Sequence, residues 1–270
     1  MARSAFNVIG YLDRIGWSGA LEPTLPALTA LMRAHMARIP FENLDVLLGR
    51  GIRIDLDSVY AKLVVAKRGG YCYEHSTLFR AVLEDAGFAP SLHSASVIMV
   101  APRSASPRTH MFLSVTIDRQ TFVLDPGFGG HGPLVPVPLV EHQELRDGPD
   151  VHRMMRRDGE WVLEAQMHGA MAPLWMSTLE PESPIDFVMA NHFTATWPES
   201  PFVQRLMLRA LTKDGRVSVM NRDVTIARAG GLEKIQIADR AALRALLAGD
   251  FGIDLPEVER LRIPSVPEWD

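Results

Sequence analysis

The sequence predicts an α+β fold, and three observations carry that reading. Apolar residues recur at helical spacing through the first third of the chain. The period shortens to two from about Pro90. After a connection rich in turn-formers, strand-like runs lead into one last helix. The 270 residues thus divide into a helical segment over 1–88, a strand-rich segment over 89–190, and a connection with a mixed α/β end over 191–270. That length suffices for one large domain or a few small ones with a proper core.

The elements follow in order. Val8, Tyr11, Leu12 and Ile15 fall at i, i+3, i+4, i+7 spacing, and Gly16 stands where a C-terminal cap is expected. A second helix begins with Thr24 as N-cap and Pro26 in its first turn. It buries Leu28, Leu31, Met32 and Met36 and stops at Pro40. His35 on that face reads as a hydrogen-bonded core histidine. Residues 39–44 form a turn that brings an aromatic ring and a carboxylate together. A third helix runs from Asp57 to about Lys67 and closes at Gly69-Gly70. A fourth begins near Cys72, with Leu78, Phe79, Val82, Leu83 and Ala86 as its stripe, Glu74 in its first turn and Gly87 at its end.

Strands are expected at residues 92–100, 109–117 and 122–125. In the second, Met111, Leu113, Val115 and Ile117 make the apolar face, so His110, Phe112, Ser114 and Thr116 point the other way. A glycine-dense loop follows over 125–132, then an extended stretch with Pro133, Pro136 and Pro138. An Asp158-Gly159 turn joins strands at 151–157 and 161–166, a strong hairpin signal. Residues 191–202 read as a connection between subdomains. Strands at 206–211 and 217–226 flank a turn at Lys213-Asp214-Gly215, and a helix over 239–248 ends the pattern.

Composition narrows the function. Hydrophobic residues make up 47% and charged residues 22%, as in ordinary globular proteins. The net charge of −4 and the lack of a long basic run argue against nucleic acid as a partner. Arg153, Arg156 and Arg157 read as a solvated face. No apolar run approaches the roughly 20 residues that span a bilayer. Asn7, Asp13 and Arg14 interrupt the start of the chain, so no signal peptide is expected. A single cysteine makes no internal disulfide, and a cytoplasmic location is expected. No cluster implies a metal, and no heptad or repeated apolar face specifies an oligomeric state.

That cysteine is Cys72, within Arg68-Gly69-Gly70-Tyr71-Cys72-Tyr73-Glu74-His75-Ser76. A lone cysteine is more often a small buried hydrophobe. The glycine pair and the helix start reverse that reading, because both favour a thiolate. If Ile117 and Gln120 close a two-residue turn at Asp118-Arg119, Phe112 lies opposite Asp125. His110 is then on the same face, one diagonal step away, within roughly 7–8 Å between backbones. Asp125 then orients His110, and His110 holds Cys72, the arrangement of covalent acyl transfer. His75 is a competing base that fits better as a first-turn polar residue, and His131 reads as a loop residue. By pattern alone Phe41, Phe128 and Phe202 are core aromatics, and Asp125 also fits the start of a tight turn before Pro126.

These residues resemble the arylamine N-acetyltransferases. The resemblance is carried by Tyr11-Leu12-Asp13-Arg14-Ile15-Gly16, Ile39-Pro40-Phe41-Glu42-Asn43-Leu44 and Arg68-Gly69-Gly70-Tyr71-Cys72-Tyr73-Glu74. Thr109-His110-Met111, Asp125-Pro126-Gly127-Phe128-Gly129 and Ser200-Pro201-Phe202 complete it. The short middle of the chain is similar to the prokaryotic type. Pro126 replaces the valine common after the family's aspartate, and Ser76 stands where asparagine is frequent; neither removes a member of the triad.

The resemblance implies a Cys72–His110–Asp125 triad. It also implies a helical bundle, an antiparallel β-barrel-like middle and an α/β lid around a cysteine-protease- or transglutaminase-like core. The donor it implies is acetyl-coenzyme A, used as a substrate with no permanently bound cofactor. The acceptors are small arylamines, arylhydrazines and related N-nucleophiles. Phe41, Phe128 and Phe202 would line the acceptor pocket, while Gly127, Phe128, Gly129, Ser106 and Thr109 would meet the donor. Transglutaminase-like or papain-like amide hydrolases, a family-related amide synthase, and a binding module that has lost the chemistry are the alternatives. The first are distinguished by cleavage of amides without coenzyme A, the last by loss of a triad member.

Overall fold

The computed structural model describes residues 5–269; Met1–Ser4, at the start of the expected helical segment, and Asp270 lie outside the described residues. In chain order the elements are α1 (Val8–Ile15), α2 (Leu25–Arg38), β1 (Phe41–Glu42), α3 (Leu44–Leu47), α4 (Leu56–Tyr60) and α5 (Cys72–Asp85). The strands β2 (Ser91–Val97), β3 (Arg108–Ile117), β4 (Gln120–Leu124), β5 (Val137–Pro138), β6 (Glu144–Asp147), β7 (Asp150–Arg157), β8 (Glu160–Met167) and β9 (Ala170–Ser177) follow. Then come α6 (Asp186–Thr196), α7 (Pro201–Gln204), β10 (Met207–Thr212), β11 (Gly215–Met220), β12 (Asp223–Arg228), β13 (Gly231–Gln236) and α8 (Arg240–Leu246). No helix among the described residues is long and apolar enough to cross a membrane.

The early helices form where their caps and stripes place them. Gly16 takes the left-handed conformation after α1, at φ 68°. The Thr24 hydroxyl accepts from Ala27 N–H at the start of α2. Leu28, Leu31 and Met32 are buried on α2, and His35 shares a 3.0 Å hydrogen bond with the Tyr11 hydroxyl. The third helix starts on Asp55, whose carboxylate accepts from Ser58 N–H, and its second half, Ala61–Val65, widens to π-helical turns. Residues 39–44 differ from the expected turn: Phe41 and Glu42 form a short strand that pairs with β10 and bridges Gly70. Local pattern gave no sign of this, because two-residue strands are stabilised only by distant partners.

By spatial proximity the chain forms two compact units, each assembled from separated stretches. One unit holds the stretch up to Gly16, His35–Tyr71 and the stretch from Asn191. Its five-stranded antiparallel sheet has the order β1-β10-β11-β12-β13. Leu44, Leu208, Val217, Val219, Val224, Leu243 and Leu247 build its core. Two expectations are corrected here. The run at 217–226 is two strands, not one, because Asn221 adopts φ 56° and turns the chain between β11 and β12. Residues 191–202 are largely helical, in α6 and α7, rather than an irregular connection.

The other unit holds Trp17–Ala34 and Cys72–Ala190. Its eight-stranded antiparallel sheet has the order β5-β4-β3-β2-β9-β8-β7-β6, and β5 approaches β7 so that the sheet forms a nearly closed barrel. Ala95, Phe112, Val123, Met154, Leu163, Leu174 and Trp175 fill its interior. Asp118-Arg119 and Asp158-Gly159 are tight turns with positive φ at both positions, as two-residue hairpins require. A third such turn, His168-Gly169, makes the hairpin to β9, which the sequence reading missed. β3 was expected to be buried on one face; residues 110–115 are buried on both, since α5 covers one side and the barrel interior the other.

Candidate active site

Cys72 is the first residue of α5 and is buried, 3% exposed. Gly127 explains how the glycine loop comes so near it. A Cβ on Gly127 would lie 2.5 Å from Cys72 Cα and 3.1 Å from His75 Cβ, so only glycine lets the loop pack on the start of the helix. His75, 1% exposed, is thus a buried neighbour of that contact. The glycine pair before Cys72 serves a different purpose from the one expected of it. A Cβ on Gly69 would collide with the Pro40 carbonyl oxygen, while Gly70 exchanges backbone hydrogen bonds with Pro40 and Glu42. These glycines dock the chain against β1.

His110 meets Asp125 through strand register. Ile117 pairs with Gln120 and Leu113 with Leu124, which puts Phe112 opposite the position of Asp125. His110 lies one step along on the same face. Its Nε2 is 2.9 and 3.0 Å from the two Asp125 carboxylate oxygens. Cys72 is a further side-chain hydrogen-bond partner of the imidazole. With Nε2 engaged by Asp125, Nδ1 is left to face the sulfur. Burial alone would lower the imidazole's pKa; Asp125 and Cys72 more than offset it and raise it to about 10. His110 therefore carries its proton at neutral pH.

Residues outside the sequence reading complete the geometry. The Trp175 indole N–H donates at 2.8 Å to Asp125 Oδ2, an oxygen that His110 also contacts, and so helps fix the carboxylate. Trp175 lies on β9, whose only local signal was the His168-Gly169 turn before it. Phe112 stacks on Trp175 with ring centres 4.4 Å apart, and Phe128 stands edge-on to His110 at 5.1 Å. Helix α5 is locked to β3 on either side of the histidine. The Tyr73 hydroxyl donates to the Thr109 carbonyl at 2.9 Å, and the Ser76 hydroxyl to the Met111 carbonyl at 3.0 Å. A β-bulge at Thr109 interrupts the pairing of β3 with β2 beside His110.

The remaining expected residues are placed as follows. Gly127 and Gly129 are buried in the loop, Gly129 at φ 71°, and Phe128 is half-buried. The Ser106 hydroxyl closes the turn at Arg103–Ala105 by donating to the Pro102 carbonyl at 3.1 Å. Thr109 is half-buried at the bulge. Phe41 and Phe202 sit in the other unit, with ring centres 6.3 Å apart, and Tyr71 stands edge-on to Phe202 at 5.3 Å. In that unit Arg68 Nη2 lies 2.7 Å from the buried Glu42 carboxylate and 3.3 Å from Asp45, and Lys62 reaches Asp45 at 3.1 Å. Arg153 and Arg157, read as a solvated face, both pair with the buried Glu164, and Arg156 lies over the Trp161 ring.

Comparison with known proteins supplies the family. A family model described as N-acetyltransferase matches residues 24–260. An arylamine N-acetyltransferase of Escherichia coli is 34% identical over 251 residues, covering 92% of this chain and 89% of the relative. One of Mycobacterium tuberculosis is 35% identical over 259 residues, covering 94% and 92%. The solved structure of Mycobacterium marinum arylamine N-acetyltransferase in complex with CoA superposes with a TM-score of 0.88 at 35% identity, covering 93% of this chain and 94% of that one. With the fold shared over nearly the full length, the chain belongs to the arylamine N-acetyltransferase family, a family of acyltransferases.

Proposed function

We propose that this protein transfers an acetyl group from acetyl-coenzyme A to the nitrogen of arylamines, arylhydrazines or related amines, in two steps through an acetyl-Cys72 intermediate. One observation carries the reading: Cys72, His110 and Asp125 are buried together, and the imidazole has both the carboxylate and the cysteine side chain as hydrogen-bond partners. The helical segment over 1–88 supplies the nucleophile and the segment over 89–190 the base and its orienter. The segment over 191–270 supplies Phe202. A reducing, cytoplasmic setting belongs to the same reading, because the mechanism needs Cys72 as a free thiol.

In the first step the Cys72 sulfur attacks the thioester carbonyl, and the tetrahedral oxyanion is met by the Cys72 backbone N–H at the start of α5. The carbon–sulfur bond to coenzyme A breaks, and the imidazolium of His110 supplies a proton to the departing thiolate. In the second step the amine lone pair attacks the acetyl-cysteine. His110, now neutral, accepts the amine proton, and the Cys72 thiolate leaves beside the re-formed imidazolium. Asp125 holds the imidazole orientation through both steps, and the Trp175 N–H holds Asp125. Gly127, Phe128 and Gly129, in the loop packed on the start of α5, are assigned to the donor, with Ser106 and Thr109 as further contacts. Phe41, Phe128 and Phe202 are assigned to the aromatic acceptor.

Mixing the protein with acetyl-coenzyme A alone tests the scheme. A burst of free coenzyme A and one acetyl group on the Cys72 peptide are expected, discharged by added aniline or hydrazine. No adduct and no burst sink the covalent route, while cleavage of peptide or glutamine amides without coenzyme A favours an amide hydrolase instead.

A further inference from the structure

We infer that Asn43 is a specificity-determining positioning residue. Its carboxamide fixes the backbone that carries Phe202 beside Phe41, and thereby selects which aromatic amines discharge the acetyl-enzyme. The inference rests on the assignment of Phe41 and Phe202 to the acceptor.

Asn43 is 2% exposed, and both amide protons and the oxygen of its side chain are engaged. Nδ2 donates to the Phe202 carbonyl at 2.8 Å and to the Arg205 carbonyl at 2.7 Å, and Oδ1 accepts from Met207 N–H at 2.8 Å. All three partners are backbone groups about the end of α7 and the start of β10. Helix α7 is a single turn, N-capped by the Ser200 side chain with Pro201 at its first position, and its chain leaves in an extended conformation at Arg205. A helix this short does not hold itself together, and its last carbonyls have no partners within the helix. Asn43 takes those partners' place.

The same residue directly follows β1, which carries Phe41 and pairs Glu42 with Leu208 on β10. Glu42 is held by Arg68 and accepts from Leu44 N–H at 2.7 Å, so β1 is a fixed platform. Phe41 and Phe202 belong to segments far apart in sequence, and Asn43 is bonded directly to the Phe202 residue itself. Aspartate would retain only acceptors and lose both donations. Glutamine would displace the amide by a methylene, and alanine would take the Asn43 partner from three backbone groups. No partner of Asn43 is Cys72, His110 or Asp125, so its effect falls on the amine-dependent step.

The test separates the two half-reactions in Asn43→Asp, Asn43→Gln and Phe202→Leu. The coenzyme A burst reports acetylation of Cys72. Discharge by a series of anilines of increasing para-substituent size reports the acceptor step. For both Asn43 variants the burst rate stays within about twofold of the parent. Discharge by the larger anilines falls by about tenfold or more, the scale expected of a sub-ångström to 1 Å misplacement, and the order of preference among amines changes. Equal loss in both half-reactions, or an unchanged order of preference while Phe202→Leu alters it, overturns the role of Asn43. An unaltered order in Phe202→Leu instead overturns the assignment of Phe202 and takes the inference with it. Hydrogen exchange of the unaltered protein applies whether or not the variants fold. The Met207 amide is expected among the slowly exchanging ones, and exchange at the rate of an open loop overturns the proposal.

Discussion

Asp125→Asn exchanges one carboxylate oxygen for an amide nitrogen and removes the group that sustains the charge on His110. In the parent, burial works against the imidazolium, and Asp125 with Cys72 reverses it to give a pKa of about 10. Against the ordinary 6.5, that gap corresponds to about 5 kcal/mol at 1.36 kcal/mol per pH unit, a net figure that Asp125 and Cys72 together exceed, because burial acts against them. Without the carboxylate the largest upward influence is gone, and the pKa of the ring falls. In the neutral ring, an amide N–H facing Nε2 forces the proton onto Nδ1, the wrong tautomer for a base facing sulfur. Alkylation of Cys72 by iodoacetamide at pH 7 should fall by about 10²–10⁴-fold, the range that positioned acid–base groups supply. The ring protons of His110 should titrate near pH 10 in the parent and at lower pH in the variant. Because the folded pKa is raised, His110 stabilises the parent fully below pH 6.5, and this is lost as pH rises through about 10. Urea midpoints of parent and variant should therefore converge at high pH. Unchanged alkylation, or a parent His110 that titrates near 6.5, refutes the reasoning.

Trp175→Phe keeps the stacking on Phe112 but deletes a hydrogen bond to a buried carboxylate, so urea unfolding should show a loss of about 1.5–3 kcal/mol together with slower Cys72 alkylation. Gly127→Ala puts a methyl 2.5 Å from the Cys72 Cα, which is backbone and cannot yield; the coenzyme A burst should disappear, while Gly230→Ala, with open space at its Cβ and no positive φ, leaves it intact. Tyr73→Phe and Ser76→Ala each remove one bond between α5 and β3. Each should cost about 1 kcal/mol by denaturant titration, and Cys72 alkylation should slow in the double variant more than in either single one. Arg68→Ala leaves Glu42 buried with its main partner gone and should destabilise by about 3–5 kcal/mol, whereas restoring Lys at that position should recover only part of it.

The sequence by itself determined the helices with their caps, the tight turns, and the parity that puts His110 and Asp125 on one face. Those features depend on local periodicity, and a two-residue turn at Asp118-Arg119 propagates register along a hairpin without reference to the rest of the chain. Cys72 at a helix start was legible for the same reason. Tertiary structure alone decided what those groups touch. Trp175 reaches Asp125 from a strand 50 residues on, and Asn43 reaches Phe202 across 159 residues; no local spacing encodes either contact. The glycines before Cys72 looked like an opening for the thiol, yet Pro40 and Glu42 fill the place of a side chain on Gly69 and hydrogen-bond the backbone of Gly70. The run at 217–226 looked like one strand because Asn221 and Arg222 interrupt the apolar pattern only briefly, and the sheet turns there. Polar groups with several possible partners, such as the hydroxyls of Tyr73 and Ser76, choose among them only once the fold sets which carbonyls lie within reach and shut away from water.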